Sequence, residues 1–354
     1  MRAFVLGLAL FSVAVSYSAS AEPRCLGKAK PEAALRAHMA AEAKNGFTGT
    51  VAINQGGRIF LWASKGFQAN STRFWIASIT KALTATAAMR LVERGAIHLD
   101  ARVGEVFPNT NGMLRDRSLA QLLAHRAGLK HLYAADGIAD RMKAVAAINA
   151  NGVQTEGFAY SNDGYSLAAA MIEQMTGTPF EQILRQEVFE PAGMRSSGVW
   201  GQTLGGQTFA PFPTSGGGKM VSNGTPERNY GQLGPSGVYS TAADMLAFLK
   251  ALRESHLLSQ KGREVLWTPG WKPSLDGKPR SGTSYGLGWG LTVENGRVLS
   301  AWHGGNEDWL RHNGQVKIFL EHPLDIVILS NAGDKGDDSW SQRVLDGIQA
   351  CLHV

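Results

Sequence analysis

Apolar and polar positions along the chain change period twice. Phe47 to Ile53 and Arg58 to Ser64 alternate around Gln55-Gly56-Gly57, the pattern of a β-hairpin. Phe74-Trp75-Ile76-Ala77-Ser78 follows, then an Ala-rich stretch with helical spacing from about Ile79 to Arg94, closed by Gly95. Helical patterns dominate from there: Leu119 to His125, Ile138 to Asn149, Gly164 to Thr176 and Pro179 to Phe189. Residues 201 to 237 are rich in Gly, Pro, Ser and Thr and read as a long irregular loop, and Thr241 to Ser255 predicts an amphipathic helix. Strand patterns return at Tyr285 to Val293, Arg297 to His303, Gln315 to Glu321 and Leu324 to Ser330, with turns at Asn295-Gly296 and Glu321-His322-Pro323. Asp338 to Leu352 predicts a closing helix. Strands at both ends with helices between predict an α/β fold of the α+β type. One antiparallel sheet, made by residues 22–75 and 236–354, is flanked by terminal helices; residues 76–235 form a mostly helical insertion.

Composition narrows the function classes. With 44% hydrophobic and 18% charged residues the chain is neither disordered nor a multispan membrane protein. The net charge of +6 is scattered, so nucleic-acid binding is not implied. Arg2, the apolar run Ala3 to Val15 and Ala19-Ser20-Ala21 read as a signal peptide over residues 1–21. The mature chain then starts at Glu22, is secreted or periplasmic, and keeps no stable membrane insertion. In that oxidising compartment Cys25 and Cys351, at opposite ends of the mature chain, are expected to pair in a disulfide. Two cysteines are too few for a Cys-rich metal module, and neither metal nor other cofactor is expected.

Three elements could carry chemistry. Ser78 and Lys81 stand at i and i+3 on one helix face, and a serine in a first helical turn has its backbone N–H free to hold an oxyanion. Lys81 can take the Ser78 proton only as a neutral amine, which requires a pKa below the ordinary ~10.4. Tyr160 and Asn162 come next: a tyrosine hydroxyl can relay a proton, and an asparagine can orient a lysine or a substrate amide. Read alone, that segment is better taken as a surface turn with Asn162 or Asp163 as a helix cap. His303-Gly304-Gly305 ends a strand pattern, where the glycines would let a substrate backbone approach; His312-Asn313-Gly314 is a rival for the same role.

Together these elements resemble the serine β-lactamase-related, penicillin-binding-protein-like family, which includes class C β-lactamases, D-Ala-D-Ala carboxypeptidases and related esterases. Its S-x-x-K, Y-x-N and K-T-G or H-x-G motifs occur here in order. The contexts FWIASITK (Phe74 to Lys81), LLAHRAGL (Leu122 to Leu129), YSNDG (Tyr160 to Gly164) and FEPAGM (Phe189 to Met194) match too. So do GPSGVYSTAAD (Gly234 to Asp244), YGLGWG (Tyr285 to Gly290) and WHGG (Trp302 to Gly305). The resemblance implies a β-lactamase/transpeptidase-like fold and an acyl-enzyme on Ser78, with Lys81 and Tyr160 as coupled acid/base groups and Asn162 orienting. It implies His303, Gly304 and Gly305 on the substrate side, His303 in place of the third-motif lysine, and backbone N–H groups of Ser78 and Asn306 as the oxyanion hole. The implied partner is a small ester, amide or peptide substrate met near the cell wall.

His303 is the main departure: an imidazole is only partly charged near neutral pH, so it is a poor anchor for a β-lactam carboxylate. An esterase or D-amino-acid peptidase is therefore expected ahead of an efficient β-lactamase, with a class C-like β-lactamase or DD-carboxypeptidase as the alternative. Two rivals differ in kind. Gly282-Thr283-Ser284-Tyr285-Gly286 fits the nucleophile elbow, which needs a helix after the serine where Gly286 to Gly290 offers none. A non-catalytic wall-binding module retaining the fold is the other, though the full set of motif residues speaks against it.

Overall fold

The structure, a computed structural model, describes residues 31–199, 210, 228–270, 282–307, 311–335 and 338–353. The expected signal peptide, Cys25 and most of the loop expected at 201–237 lie outside them.

A seven-stranded sheet dominates. Its strands are β1 (Gly49–Gln55), β2 (Arg58–Ala63), β6 (Gly282–Tyr285), β7 (Gly290–Glu294), β8 (Arg297–Glu307), β9 (His312–Phe319) and β10 (Leu324–Ser330). The order is β2-β1-β10-β9-β8-β7-β6 and every pairing is antiparallel. The sheet is thus made from both ends of the chain, as the period changes predict. Gly56 and Gly57 take φ of 59° and 89°, the positive values that a two-residue turn between Gln55 and Arg58 needs. A second, three-stranded sheet joins β3 (Phe74–Trp75), β5 (Val238–Ser240) and β4 (Gly198–Val199).

Three strand expectations change. Tyr285 to Val293 is two strands, because the chain leaves the sheet at Gly286–Trp289. Gly288, at φ 74°, makes that excursion so close to the Thr80–Glu93 helix that a Cβ would lie 2.5 Å from the Lys81 carbonyl oxygen. β8 continues past His303 to Glu307, so the His-Gly-Gly run lies inside a strand. β9 starts at His312, ahead of the expected Gln315. A helix at Pro31–Lys44 was unassigned by periodicity; it buries Ala34, Leu35, His38, Met39 and Glu42 along one stripe.

Each face of the sheet has its own core. Val51, Ile53, Ile326 and Ile328 point to the side covered by the Pro31–Lys44 and Trp340–Leu352 helices. Ala52, Val327 and Leu329 point the other way, into a larger core shared with the Thr80–Glu93, Asn162–Thr176 and Ala242–Arg253 helices. The alternation follows from the two-residue period of a strand. No described helix is long and apolar enough to cross a membrane.

Candidate active site

The turn that carries Ser78 rests on β8. A Cβ at Gly305 would lie 2.2 Å from the Ile76 carbonyl oxygen, so only glycine lets the turn seat there. The Ile76 N–H is held by the Val238 carbonyl at 3.0 Å. Ala77 then takes φ 46°, an unfavourable value for a residue with a Cβ, while fully packed. That bend starts the short Ala77–Ile79 turn carrying Ser78, which runs directly into the Thr80–Glu93 helix.

Lys81 comes one turn later and is wholly buried. Its Nζ lies 3.1 Å from Ser78 Oγ, 2.7 Å from Asn162 Oδ1 and 3.0 Å from the Pro235 carbonyl oxygen. Burial holds its pKa well below that of a free lysine, with Glu307 pulling weakly the other way. A neutral amine has two hydrogens and one lone pair. Asn162 Oδ1 and the Pro235 carbonyl can only accept, so they take the hydrogens and leave the lone pair for Ser78.

The Tyr160–Asn162 segment is not the surface turn it resembles in isolation. Ser161 caps the Asn162–Thr176 helix, its Oγ accepting the Gly164 N–H at 3.1 Å. Asp163 instead accepts the Leu132 and Ala134 N–H groups at 3.0 and 2.8 Å. Asn162 is thereby released to face Lys81. Tyr160 hydrogen-bonds Ser78 through its hydroxyl, and its ring centroid lies 4.8 Å from Lys81 Nζ. Desolvation pushes its pKa up, so the phenol keeps its proton.

His303 lies on β8, on the same face as Gly305. Its Nδ1 is 2.6 Å from the Gly304 carbonyl oxygen, which can only accept, so Nδ1 carries the hydrogen. Its Nε2 meets the Tyr285 hydroxyl at 3.0 Å. Burial, reinforced by Lys81, pushes its pKa down to about 3. The expected partly charged imidazole is therefore a neutral one. Asn306 follows on β8 opposite Asn313, with its side chain exposed, and Gly304 packs against the Gln315 side chain.

The rivals separate on position. His312 is buried at the start of β9, its Nδ1 accepting the Trp75 N–H at 3.1 Å; it buttresses the strand before Ser78. Ser284 sits within β6 opposite Leu291, followed by no helix, so the elbow geometry is absent there. Sequence reasoning assigned no role to His125, Tyr165, Tyr285 or the Pro235 carbonyl. The signal was present in the stretches LLAHRAGL, GPSGVYSTAAD and YGLGWG, which hold His125, Pro235 and Tyr285; Tyr165 directly follows YSNDG.

Residues 32–347 match the family described as Beta-lactamase. The chain belongs to that family. Its fold is that of the β-lactamase and transpeptidase group. It is 31% identical to PbpX of Bacillus subtilis (strain 168) over 69% of its own length and 62% of that protein's, so it spans less than two thirds of this relative. Penicillin-binding protein 4* of the same organism is 24% identical over 87% of this chain and 73% of its own. Among solved structures, a D-amino acid amidase from Ochrobactrum anthropi superposes with a TM-score of 0.72 at 24% identity, covering 92% of this chain and 99% of that one.

Proposed function

We propose that this β-lactamase-family chain is an exported hydrolase that cleaves ester or amide carbonyls, D-amino-acid amides and peptides included, through an acyl-enzyme on Ser78. The observation that carries this reading is the buried Lys81 amine, whose two hydrogens are taken by Asn162 Oδ1 and the Pro235 carbonyl. Its lone pair accepts the Ser78 hydroxyl proton as Oγ adds to the substrate carbonyl. The backbone N–H groups of Ser78 and Asn306 hold the resulting oxyanion. Collapse expels the leaving oxygen or nitrogen, which takes the Tyr160 phenol proton; the phenolate recovers a proton from the Lys81 ammonium, restoring both groups. Water then attacks the ester and gives its proton to Lys81, which returns it to Ser78 Oγ. Each step conserves protons, and no metal takes part.

Neutral His303 favours uncharged acyl donors, since it offers no cation to a β-lactam carboxylate. The structural likeness to a D-amino acid amidase agrees with that preference, and the penicillin-binding relatives favour cell-wall peptides as the second substrate class. Export rests on the leader-like sequence. The proposed Cys25–Cys351 bridge is supported by the position of Cys351, buried on the helix that covers the sheet made by both chain ends.

Intact-mass detection with a fluorophosphonate tests the nucleophile: the wild type gains one adduct, and Ser78→Ala gains none. Turnover of p-nitrophenyl esters, a D-Ala-D-Ala peptide and a chromogenic cephalosporin tests the substrate class. Short-chain esters are expected to turn over at least about tenfold faster than the cephalosporin, the discrimination a pocket supplies with ~1.4 kcal/mol. Faster cephalosporin turnover overturns the preference.

A further inference from the structure

His125 holds the chain on both sides of Tyr160. Its carbonyl oxygen accepts the Ala159 N–H at 2.8 Å, and its Nδ1 accepts the Ser161 N–H at 3.1 Å. Its ring lies under the Tyr160 ring, with centroids 4.2 Å apart and planes tilted 38°.

The residue is kept there at some expense. It adopts φ 55°, outside the range a side chain prefers, and is almost fully buried. With Nδ1 accepting, Nε2 carries the hydrogen, and that buried atom has no hydrogen-bond partner among the described residues. The rings of Tyr165 and Tyr285, with centroids 5.0 and 4.9 Å away, and that of Phe158 at 5.7 Å complete an aromatic enclosure. A buried donor without a partner costs stability, which a residue serving packing alone would not need to bear. The Ser161 link also reaches Asn162, because Ser161 Oγ starts the helix on which Asn162 stands.

We propose that His125 is a positioning residue for acyl transfer: it fixes the Tyr160 hydroxyl at Ser78 by clamping residues 159 and 161 and stacking beneath the ring. The proposal rests on the acyl-enzyme reading above. It acts through geometry, and a misplacement of about 1 Å at a catalytic group can cost about 10²-fold in rate.

The test compares His125→Ala and His125→Asn with wild type in fluorophosphonate labelling rate and in ester kcat and KM. His125→Ala loses the Nδ1 acceptor and the ring, and kcat and labelling rate are expected to fall about 10²-fold with KM within about threefold. His125→Asn accepts a left-handed backbone and offers an amide oxygen to the Ser161 N–H but lacks the stacked ring, so it is expected to recover only in part, to between about threefold and tenfold below wild type. The alkaline limb of kcat should also move to lower pH in His125→Ala, as Tyr160 loses its enclosure. The titratable groups facing this cluster are Lys81, Tyr165, Tyr285, His303, His131 and Tyr133. Wild-type kcat and an unmoved alkaline limb in folded His125→Ala overturn the proposal. Should that variant not fold, His125→Asn decides: a loss of a few-fold or more in kcat at constant KM supports the role, and full wild-type kcat with an unmoved limb overturns it. Absence of labelling in the wild type overturns the acyl-enzyme reading itself, an outcome distinct from normal labelling in the variants.

Discussion

The two faces of the main sheet are packed on different terms. The face under the terminal helices is built from Leu35, Met39, Val51, Ile53, Ile328, Val344 and Ile348, with His38 and Glu42 as its polar intrusions. The face under the helical region buries Lys81, His125 and His303 among Leu and Ala side chains. Apolar burial stabilises without demanding partners, whereas each buried polar group must be satisfied or it costs about 1–3 kcal/mol. One face therefore stabilises the fold, and the other spends part of that stability to hold an amine and two imidazoles neutral. The difference separates the residues that keep the chain folded from those gathered around Ser78.

Exchanging a residue on each face breaks the comparison most directly. Lys81→Met removes the proton acceptor while keeping the side chain's length, and kcat/KM for a p-nitrophenyl ester is expected to fall by about 10³-fold or more. The far-ultraviolet circular dichroism spectrum should stay that of the wild type. Ile348→Ala, on the opposite face, should cost about 2–5 kcal/mol in urea-monitored stability, with kcat per folded molecule unchanged. A loss of kcat there would show that the faces are coupled.

Acid sharpens the contrast more gently. His303 and His312 are pushed down to about 3 from an ordinary 6.5. Between those values the unfolded chain binds protons that the folded chain refuses, so their contribution is present above pH 6.5 and is lost as pH falls towards 3. Urea titrations at stepped pH should show His312→Asn flattening this slope by up to about 1.4 kcal/mol per pH unit, one proton's worth. An unchanged slope would mean that His312 titrates normally in the folded chain.

The sequence carried the outline of both faces because strands and helices differ in period. It carried Ser78 and Lys81, one helical turn apart, and Tyr160 and Asn162, two residues apart, as two local pairs; the contacts that join the pairs are made only by the fold. It did not carry His125, whose action runs through backbone groups 36 residues away. Nor could it show that Ser161, and not Asn162, caps the helix: Ser161, Asn162 and Asp163 can all cap, and only the tertiary fold chooses. The charge on His303 was misread for a related reason, since the free imidazole value holds only in water and burial decides the rest. The strands β3, β4 and β5 have two or three residues each, too few for any period to register.

The pairing of β1 with β10 has a consequence in time. Asn54 and Asp325 are hydrogen-bonded partners 271 residues apart, and the strand that seats the nucleophile turn, β8, lies late in the chain as well. Contacts between such distant segments form slowly, because the intervening chain must be ordered before they can be made. A growing chain thus carries Ser78, Lys81 and Tyr160 well before β8, the strand on which the Ser78 turn is seated. Until the final strands arrive, Ser78 is an ordinary alcohol.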